Sequence, residues 1–460
     1  MHTIFATLIA LAITATGLAV DKRAALDDCL TDAGVPTDTQ GSDDWKQDVA
    51  PYNLRLQFKP IAIAVPTTTK HIQDAVACAV RAGVKTNPKC GGHSYASFGL
   101  GGEDGHLTIE MDRMSKVVLN NITGIATIEG GSRLGHVAAE LYAQGKRAFS
   151  HGTCPGVGVG GHSLHGGYGV SSHTKGLALD WMVEATVVLA NSTVVTCSET
   201  ENPELFWAIR GAGSSMGVVA SFKFKTFQVP DQVTFFAAPI RWATQDKAAA
   251  GLKAIQQYVE NDMPNELNMR LFVQRSFTNL EGMYYGDKAG LQTALQSLLN
   301  KTGSALALTQ TGSWTDQLSH FGNGISLNQT HPYDMHETFY SSSLYTQALS
   351  DEQIQGFVSY WFSLGKTNTR DWYAQFDFHG GKTSAIANVS VDATAYAHRD
   401  YLYMINCWGQ YINYPDPNLD QTTAQNVYWG THLSRLQRIK AAVDPQDVFH
   451  YPQGILPAKA

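Results

Sequence analysis

The chain has 460 residues, 43% hydrophobic and 16% charged, which is enough length and apolar content for two or three packed domains and excludes disorder as the main state. A formal charge of −7, from 33 Lys and Arg against 40 Asp and Glu, supplies no basic surface for phosphate backbones or acidic lipid, so neither nucleic acid nor a membrane surface is an expected partner. Glycine stands out, with 42 residues, about 9% against an ordinary share of about 7%. The glycines cluster, so the backbone must turn tightly or approach a ligand closely in a few places.

Residues Ile4 to Leu18 form an apolar run too short to cross a bilayer, and the small residues Gly17 and Ala19 suit signal-peptidase cleavage. A signal peptide over 1–19 is expected, with Lys22-Arg23 as a second processing point before Ala24. Acceptor triplets for N-glycosylation begin at Asn121, Asn191, Asn300, Asn328 and Asn388, which carry meaning only for a secreted, extracellular chain. Six cysteines in so long a chain are not a disulfide scaffold, but secreted proteins usually pair those they keep. Cys29 with Cys78 is the favoured bridge, other pairings staying open on spacing alone. Cys154 lies in a glycine-rich loop, an unusual place for a structural thiol, while Cys90, Cys197 and Cys407 have no assignment.

From Leu56 to Val65 apolar residues dominate, and Thr67-Thr68-Thr69 can cap a helix whose Ile72, Val76, Ala79 and Val80 share a face, stopped by Gly83. Leu107, Ile109 and Met111 alternate as in a half-buried strand; Leu134, Val137, Ala138 and Leu141 have helical spacing. After the glycine-rich stretch 152–169, Trp181 to Leu189 reads as a strand, Asn191 to Thr193 as its turn and Val194-Val195 as the return. Asn202-Pro203 opens a short helix, with Asn as cap and Pro at the first helical position. Phe222 and Phe224 alternate with Lys223 and Lys225 in a strand ending near Pro230.

A second region begins there. Arg270 to Gln274 and Met283 to Tyr285 read as strands, and Leu291, Ala294, Leu295 and Leu298 as a helical stripe. Ser350 with Gln353 makes a capping box before a helix that buries Ile354, Phe357, Val358 and Trp361. Strands recur at Trp372 to Phe378 and Tyr401 to Asn406, and a last helix carrying Leu433, Leu436 and Val443 stops before Asp444-Pro445. The fold class is α+β, with helices and mixed strands in separate layers.

Two segments carry candidate chemistry: Cys90-Gly91-Gly92-His93-Ser94-Tyr95, and Thr153-Cys154-Pro155-Gly156 running on to Gly161-His162. Consecutive glycines expose backbone N–H groups that bind phosphate oxygens without Lys or Arg, as a pyrophosphate cofactor requires; the plain alternative is a pair of turns with a core histidine. Gly156, Gly158 and Gly161 also satisfy G-x-G-x-x-G, but no apolar strand leads in. Gly213, Ser215 and Gly217 satisfy G-x-S-x-G, but a strand pattern follows where a nucleophile elbow needs a helix. His151, His162, His165 and His173 have no acidic or thiolate partner at a ligand spacing, so no metal is assigned.

The run from Gly91 to Gly99, with Thr153-Cys154-Pro155-Gly156-Val157-Gly158 and Gly166-Gly167-Tyr168-Gly169, resembles the berberine-bridge-type flavoproteins of the vanillyl-alcohol oxidase superfamily, and among these the secreted fungal glucooligosaccharide oxidases. The resemblance runs from Cys29 to near the carboxyl terminus, including Asp444-Pro445 and Tyr451-Pro452-Gln453. It implies a two-part FAD-binding domain of the PCMH type over 24–228, a substrate domain over 229–410 with a large antiparallel sheet covered by helices, and a segment 411–460 that returns to the FAD domain. It also implies FAD joined to the protein twice, through His93 at the flavin 8α carbon and Cys154 at C6. Gly91, Gly92, Ser94, Tyr95, Ser97, Gly158, His162, Gly169, Val219, Tyr451 and Gln453 would surround that cofactor.

An imidazole nitrogen and a thiolate are nucleophiles able to add to an electron-poor ring. The segment Tyr411 to Asp416 matches the one that carries the family's tyrosine base, which implies Tyr414 in that role, and Gln375 to Gly381 matches the segment holding its acidic partner, Asp377. Tyr95, Tyr168 and Gln375 would line the sugar site. The implied reaction is oxidation of an oligosaccharide's anomeric hydroxyl to a lactone with O2 as acceptor, by a monomer. A secondary metabolite as substrate, or sugar binding without turnover, are the alternatives. One departure stands out: after Asn406 the chain passes through Cys407-Trp408-Gly409 straight to Tyr411, where the family carries a helix and loop.

Overall fold

The computed structural model describes residues 22–329, 335–406 and 413–459. The expected leader, the shortened connection at Cys407 and the start of the Tyr411 segment lie outside the described residues.

The amino-terminal part is a βαβ unit. Strand β1 (Ala62–Ala64) leads to helix α1 (Thr69–Ala82), then to β2 (Thr86–Lys89) and β3 (Leu107–Glu110). Thr68 caps α1 by accepting from the His71 N–H, and Gly83 ends it at φ +61°, a left-handed conformation that suits glycine. The helix buries Ile72, Ala75, Val76, Cys78 and Ala79, and Cys78 forms the expected disulfide with Cys29. The sheet runs Thr37–Asp38, β1, β3, β2, with β1 and β2 parallel to β3. The sequence alternation reads as a half-buried strand at 107–111, yet every residue of β3 is buried, because β3 is central to a sheet with parallel neighbours on both sides.

A five-stranded antiparallel sheet follows: β4 (Val117–Asn120), β5 (Ile125–Glu129), β6 (Met182–Val188), β7 (Val194–Ser198) and β8 (Val218–Lys225), in the order β4-β5-β8-β6-β7. Between β5 and β6 lie helix α2 (Leu134–Gly145) and the one-turn helix α3 (Val159–Ser163). Helix α4 (Pro203–Ala212) begins with Pro203 as expected, but Asn202 does not cap it. Its side chain reaches back to the Thr196 carbonyl at 2.7 Å and ties the helix start to β7.

The second region is a seven-stranded, wholly antiparallel sheet built from β9 (Val233–Ile240), β10 (Leu267–Gln274), β11 (Thr278–Tyr284), β12 (Leu308–Gly312), β13 (Leu344–Thr346), β14 (Tyr373–Phe378) and β15 (Tyr403–Asn406). Its order is β12-β9-β11-β10-β14-β15-β13. Helices α5 (Gln245–Asn261), α6 (Lys288–Thr302) and α7 (Asp351–Tyr360) cover one face, where Leu271, Val273, Leu280, Phe376 and Phe378 are buried in one cluster with Leu252, Leu295 and Val358. The Ser350/Gln353 capping box forms as the sequence predicts. The opposite face carries the polar residues of β10, β11 and β14. The last helices, α8 (Gln421–Trp429) and α9 (Leu433–Val443), pack not on this sheet but on the side of the five-stranded one, largely through α4: Tyr428, Trp429, Leu436 and Ile439 share one buried cluster with Phe206 and Trp207 of α4 and Phe222 of β8.

Candidate active site

The two glycine-rich segments meet because glycine permits it. They pass so closely that a Cβ on Gly91 would lie 2.3 Å from the Gly158 backbone nitrogen, and a Cβ on Gly158 would lie 2.4 Å from Cys90 Sγ. Any side chain at either position would push the strands apart. The loop 155–159 is moulded onto the start of α2, through Leu134 N–H to Val157 O at 2.8 Å, Gly135 N–H to Pro155 O at 3.0 Å and Val159 N–H to Ser132 O at 2.8 Å.

The two loops and the polar face of the seven-stranded sheet enclose a cavity of about 690 Å³, within the range of small-molecule and cofactor sites. Gly91, Gly92, His93, Ser94, Tyr95, Cys154, Gly158, His162, Gly169, Val219 and Tyr451 line it, as do Tyr168, Gln375, Asp377 and Tyr414. Two expected cofactor residues do not. Ser97, at φ +57°, donates its hydroxyl to Leu56 O at 2.7 Å and shapes the loop after Tyr95. Gln453 is buried beneath the turn that follows Tyr414, taking a hydrogen bond from Tyr428 Oη at 2.8 Å and donating to Asp416 O at 2.7 Å and Leu419 O at 3.0 Å.

The environment prepares these groups for different tasks. The His93 imidazole is stacked on Tyr52, with ring centroids 4.1 Å apart, and is pushed down to about 3 by burial, with Arg133 and His336 adding to the effect. It is therefore neutral near pH 7 and has a nitrogen lone pair to offer. Asp377 is only 1% exposed, and burial raises its carboxyl to about 6 although Arg270 and a 2.7 Å hydrogen bond from Gln375 Nε2 oppose the rise. Tyr168 is held well above the ordinary phenol range, first by burial and then by the nearby Asp377 charge, and Tyr414 acts on it in the same direction. Tyr414 stacks on Tyr95, centroids 5.1 Å apart, and Phe339 closes on Tyr95 edge-on at 4.7 Å.

Strand register brings several further residues to the cavity that sequence reasoning missed. Arg270 on β10 stands opposite Asp377 on β14 and opposite Glu281 on β11, so one cross-strand row reads Glu281, Arg270, Asp377. The neighbouring row reads Asn279, Phe272, Gln375, Asn406. Arg270 pairs with Glu281 at 2.7 Å, and Asn279 Nδ2 bonds the other Glu281 oxygen at 2.9 Å. The polar residues Asn268, Arg270 and Gln274, all on one face of the otherwise apolar strand Leu267–Gln274, were the available signal.

The rival motifs have structural explanations. Ser215 is fully buried, its hydroxyl donating to Tyr451 Oη at 3.3 Å and accepting the Ile455 N–H at 3.0 Å, so it is not a poised nucleophile. His162 Nε2 accepts the Gly152 N–H at 2.8 Å, and His173 Nε2 meets Thr383 Oγ1 at 3.0 Å. The half-buried Cys90 thiol is raised to about 11 by desolvation and the buried Cys197 thiol to about 12, so both stay protonated at neutral pH.

The cavity suits a flavin. Its walls combine bare glycine backbone, which lets a planar ring lie close, with His93 and Cys154 as nucleophiles. Two lining groups, His165 Nε2 and Asn279 Oδ1, are buried without a hydrogen-bond partner among the described residues and offer polar contacts to a bound molecule. Residues 60–198 match the family described as "FAD binding domain" and residues 410–456 the one described as "Berberine and berberine like", which defines a flavin-dependent oxidoreductase.

The chain belongs to the berberine-bridge-type FAD-linked oxidases, on the branch that includes the fungal oligosaccharide oxidases. It is 48% identical to xylooligosaccharide oxidase from Thermothelomyces thermophilus, over 95% of each chain. The solved structure of xylooligosaccharide oxidase from Myceliophthora thermophila C1 in complex with xylobiose superposes with a TM-score of 0.93 at 47% identity, over 95% of this chain and 100% of that one. Glucooligosaccharide oxidase from Acremonium strictum, a protein with 6-S-cysteinyl, 8α-N1-histidyl FAD, gives a TM-score of 0.91 at 42% identity over 95% and 100%.

Proposed function

We propose that the protein is a secreted oxidase that converts the reducing-end anomeric hydroxyl of an oligosaccharide to a lactone while O2 is reduced to H2O2. The observation that carries this reading is the convergence of His93, Cys154, Tyr414, Asp377, Tyr95 and Gln375, drawn from four distant segments, on one cavity of about 690 Å³. Residues 24–228, with 411–460 returning to them, form the FAD-binding part, and 229–410 the substrate part. The packing of α8 and α9 on the side of the five-stranded sheet supports that division.

His93 and Cys154 would hold FAD, at its 8α carbon and C6. When bound, the flavin would supply the hydride acceptor for the anomeric carbon, with O2 as the final electron acceptor. The remaining work falls to the chain's own side chains. Tyr414 takes the proton of the anomeric hydroxyl. A free phenol titrates near 10, so Tyr414 needs a proton acceptor of its own, and Asp377, ionised above about pH 6, supplies the negative charge. Gln375 orients Asp377 and presents its carbonyl oxygen to the sugar. Tyr95, packed between Tyr414 and Phe339, offers an aromatic face to the apolar side of a pyranose ring. Because the cofactor is tethered, the groove can stay open to an extended sugar.

Secretion is supported by the leader pattern and by exposure of all five sequon asparagines, Asn121, Asn191, Asn300, Asn328 and Asn388. No helix among the described residues is long and apolar enough to cross a membrane. The test is direct. The purified protein is precipitated with acid, where flavin absorbance must stay in the pellet. It is then screened for peroxide on cello-, malto-, xylo- and chitooligosaccharides. A colourless pellet refutes covalent attachment, and silence on every sugar refutes the substrate class.

A further inference from the structure

Arg133 lies on neither anchor loop, yet it joins them. It is 2% exposed, and its Nη1 donates to Gly91 O at 3.0 Å and to Gly156 O at 2.9 Å. Each carbonyl is two residues from a nucleophile, Gly91 from His93 and Gly156 from Cys154. The same stretch of backbone, Ser132 to Gly135, moulds the Cys154 loop through three main-chain hydrogen bonds, and Arg133 itself forms a bridge with Gly158. One loop is therefore held by main chain, and the other is registered to it by the guanidinium and by the Gly91–Gly158 contact. A charged donor shared by two buried carbonyls is a stronger and more directional link than a neutral one.

We propose that Arg133 is a positioning residue for cofactor attachment: by clamping the Gly91 and Gly156 carbonyls it fixes the separation of His93 and Cys154, so that both can bond one ring. The inference rests on the two-anchor reading given above. Attachment at each anchor is oxidative. A nitrogen–carbon or sulfur–carbon bond replaces the N–H of His93 or the S–H of Cys154 and one C–H of the flavin. The two hydrogens and two electrons pass through the ring to O2, which leaves as H2O2. A nucleophile displaced by an ångström loses orientation, and orientation dominates the rate of such a step.

The experiment is peptide mass spectrometry of the proteolysed, flavin-loaded protein. In the native protein the His93 and Cys154 peptides should appear as one species cross-linked through FAD; two separate, unlinked peptides there would refute the two-anchor reading itself. Given the native cross-link, Arg133→Met keeps the volume but removes the donors. The cross-linked fraction should fall about tenfold, with FAD remaining on one peptide. Arg133→Lys keeps the charge but not the planar fork, and should restore an intermediate fraction. Undiminished cross-linking in Arg133→Met overturns the proposal. So does failure of both variants to accumulate as folded protein by circular dichroism, which would assign Arg133 to the fold instead.

Discussion

Replacing Asp377 by Asn separates what the site does from what it costs. The carboxyl titrates at about 6 in the folded chain against an ordinary 3.8. A difference of about 2.2 in pKa, at about 1.36 kcal/mol for each unit, makes the ionised group about 3 kcal/mol less comfortable folded than unfolded. The sign follows from proton counting. Below pH 3.8 both states hold the proton and nothing is lost. Between 3.8 and 6 only the unfolded chain releases it, so stability falls as pH rises, and above 6 the full penalty stands. Asn carries no charge and keeps an oxygen for Gln375 Nε2, whose bond to Asp377 is 2.7 Å. The Asn variant should therefore match the native protein within about 0.5 kcal/mol at pH 4 and exceed it by about 3 kcal/mol at pH 7.5. Denaturant unfolding at the two pH values measures this. At the same time peroxide formation should fall by about 10²-fold or more, and the acidic limb near pH 6 should vanish from the native pH profile of kcat/KM. A variant that is no more stable at pH 7.5, or that turns over like the native enzyme, refutes the reasoning.

Tyr414→Phe removes the phenol oxygen proposed as the base while preserving the stacking on Tyr95. Peroxide formation should drop by about 10²- to 10⁴-fold, with flavin absorbance in the acid pellet unchanged. Cys29→Ser opens a bridge spanning 49 residues and should cost about 4 kcal/mol in denaturant unfolding. Ser215→Ala should lower stability by about 1–3 kcal/mol through the orphaned Ile455 N–H, and should leave peroxide formation within about twofold. Protein from a eukaryotic secretion host should lose mass on treatment with peptide N-glycosidase, because the five sequon asparagines are exposed.

Local signals predicted local structure well. Thr68 and Gly83 bracket α1, and the Ser350/Gln353 pair starts α7, because capping depends on residues within one turn. Asn202 failed as a cap because a carbonyl across a turn, Thr196 O, competed for its side chain. The two anchor segments were legible because unusual residues stand next to each other in sequence. Arg270, Glu281 and Arg133 were not, because their importance comes from pairing across strands or between loops, and no spacing along the chain encodes which strands become neighbours. Gln453 shows the opposite failure. Its motif was recognisable, but its amide turns beneath the turn after Tyr414 and supports the site from behind.

The two-faced character of the seven-stranded sheet has a consequence for assembly. Side chains alternate along a strand, so sliding β14 by one position against β10 would turn Asp377 and Gln375 into the layer of α5, α6 and α7, and Phe376 out to the cavity. A buried carboxylate with no partner among leucines is far costlier than a lost apolar contact. The polar row thus proofreads strand alignment during folding. Substitutions that make this face apolar, however well they suit a new substrate, also erase the penalty that keeps the wrong register unpopulated.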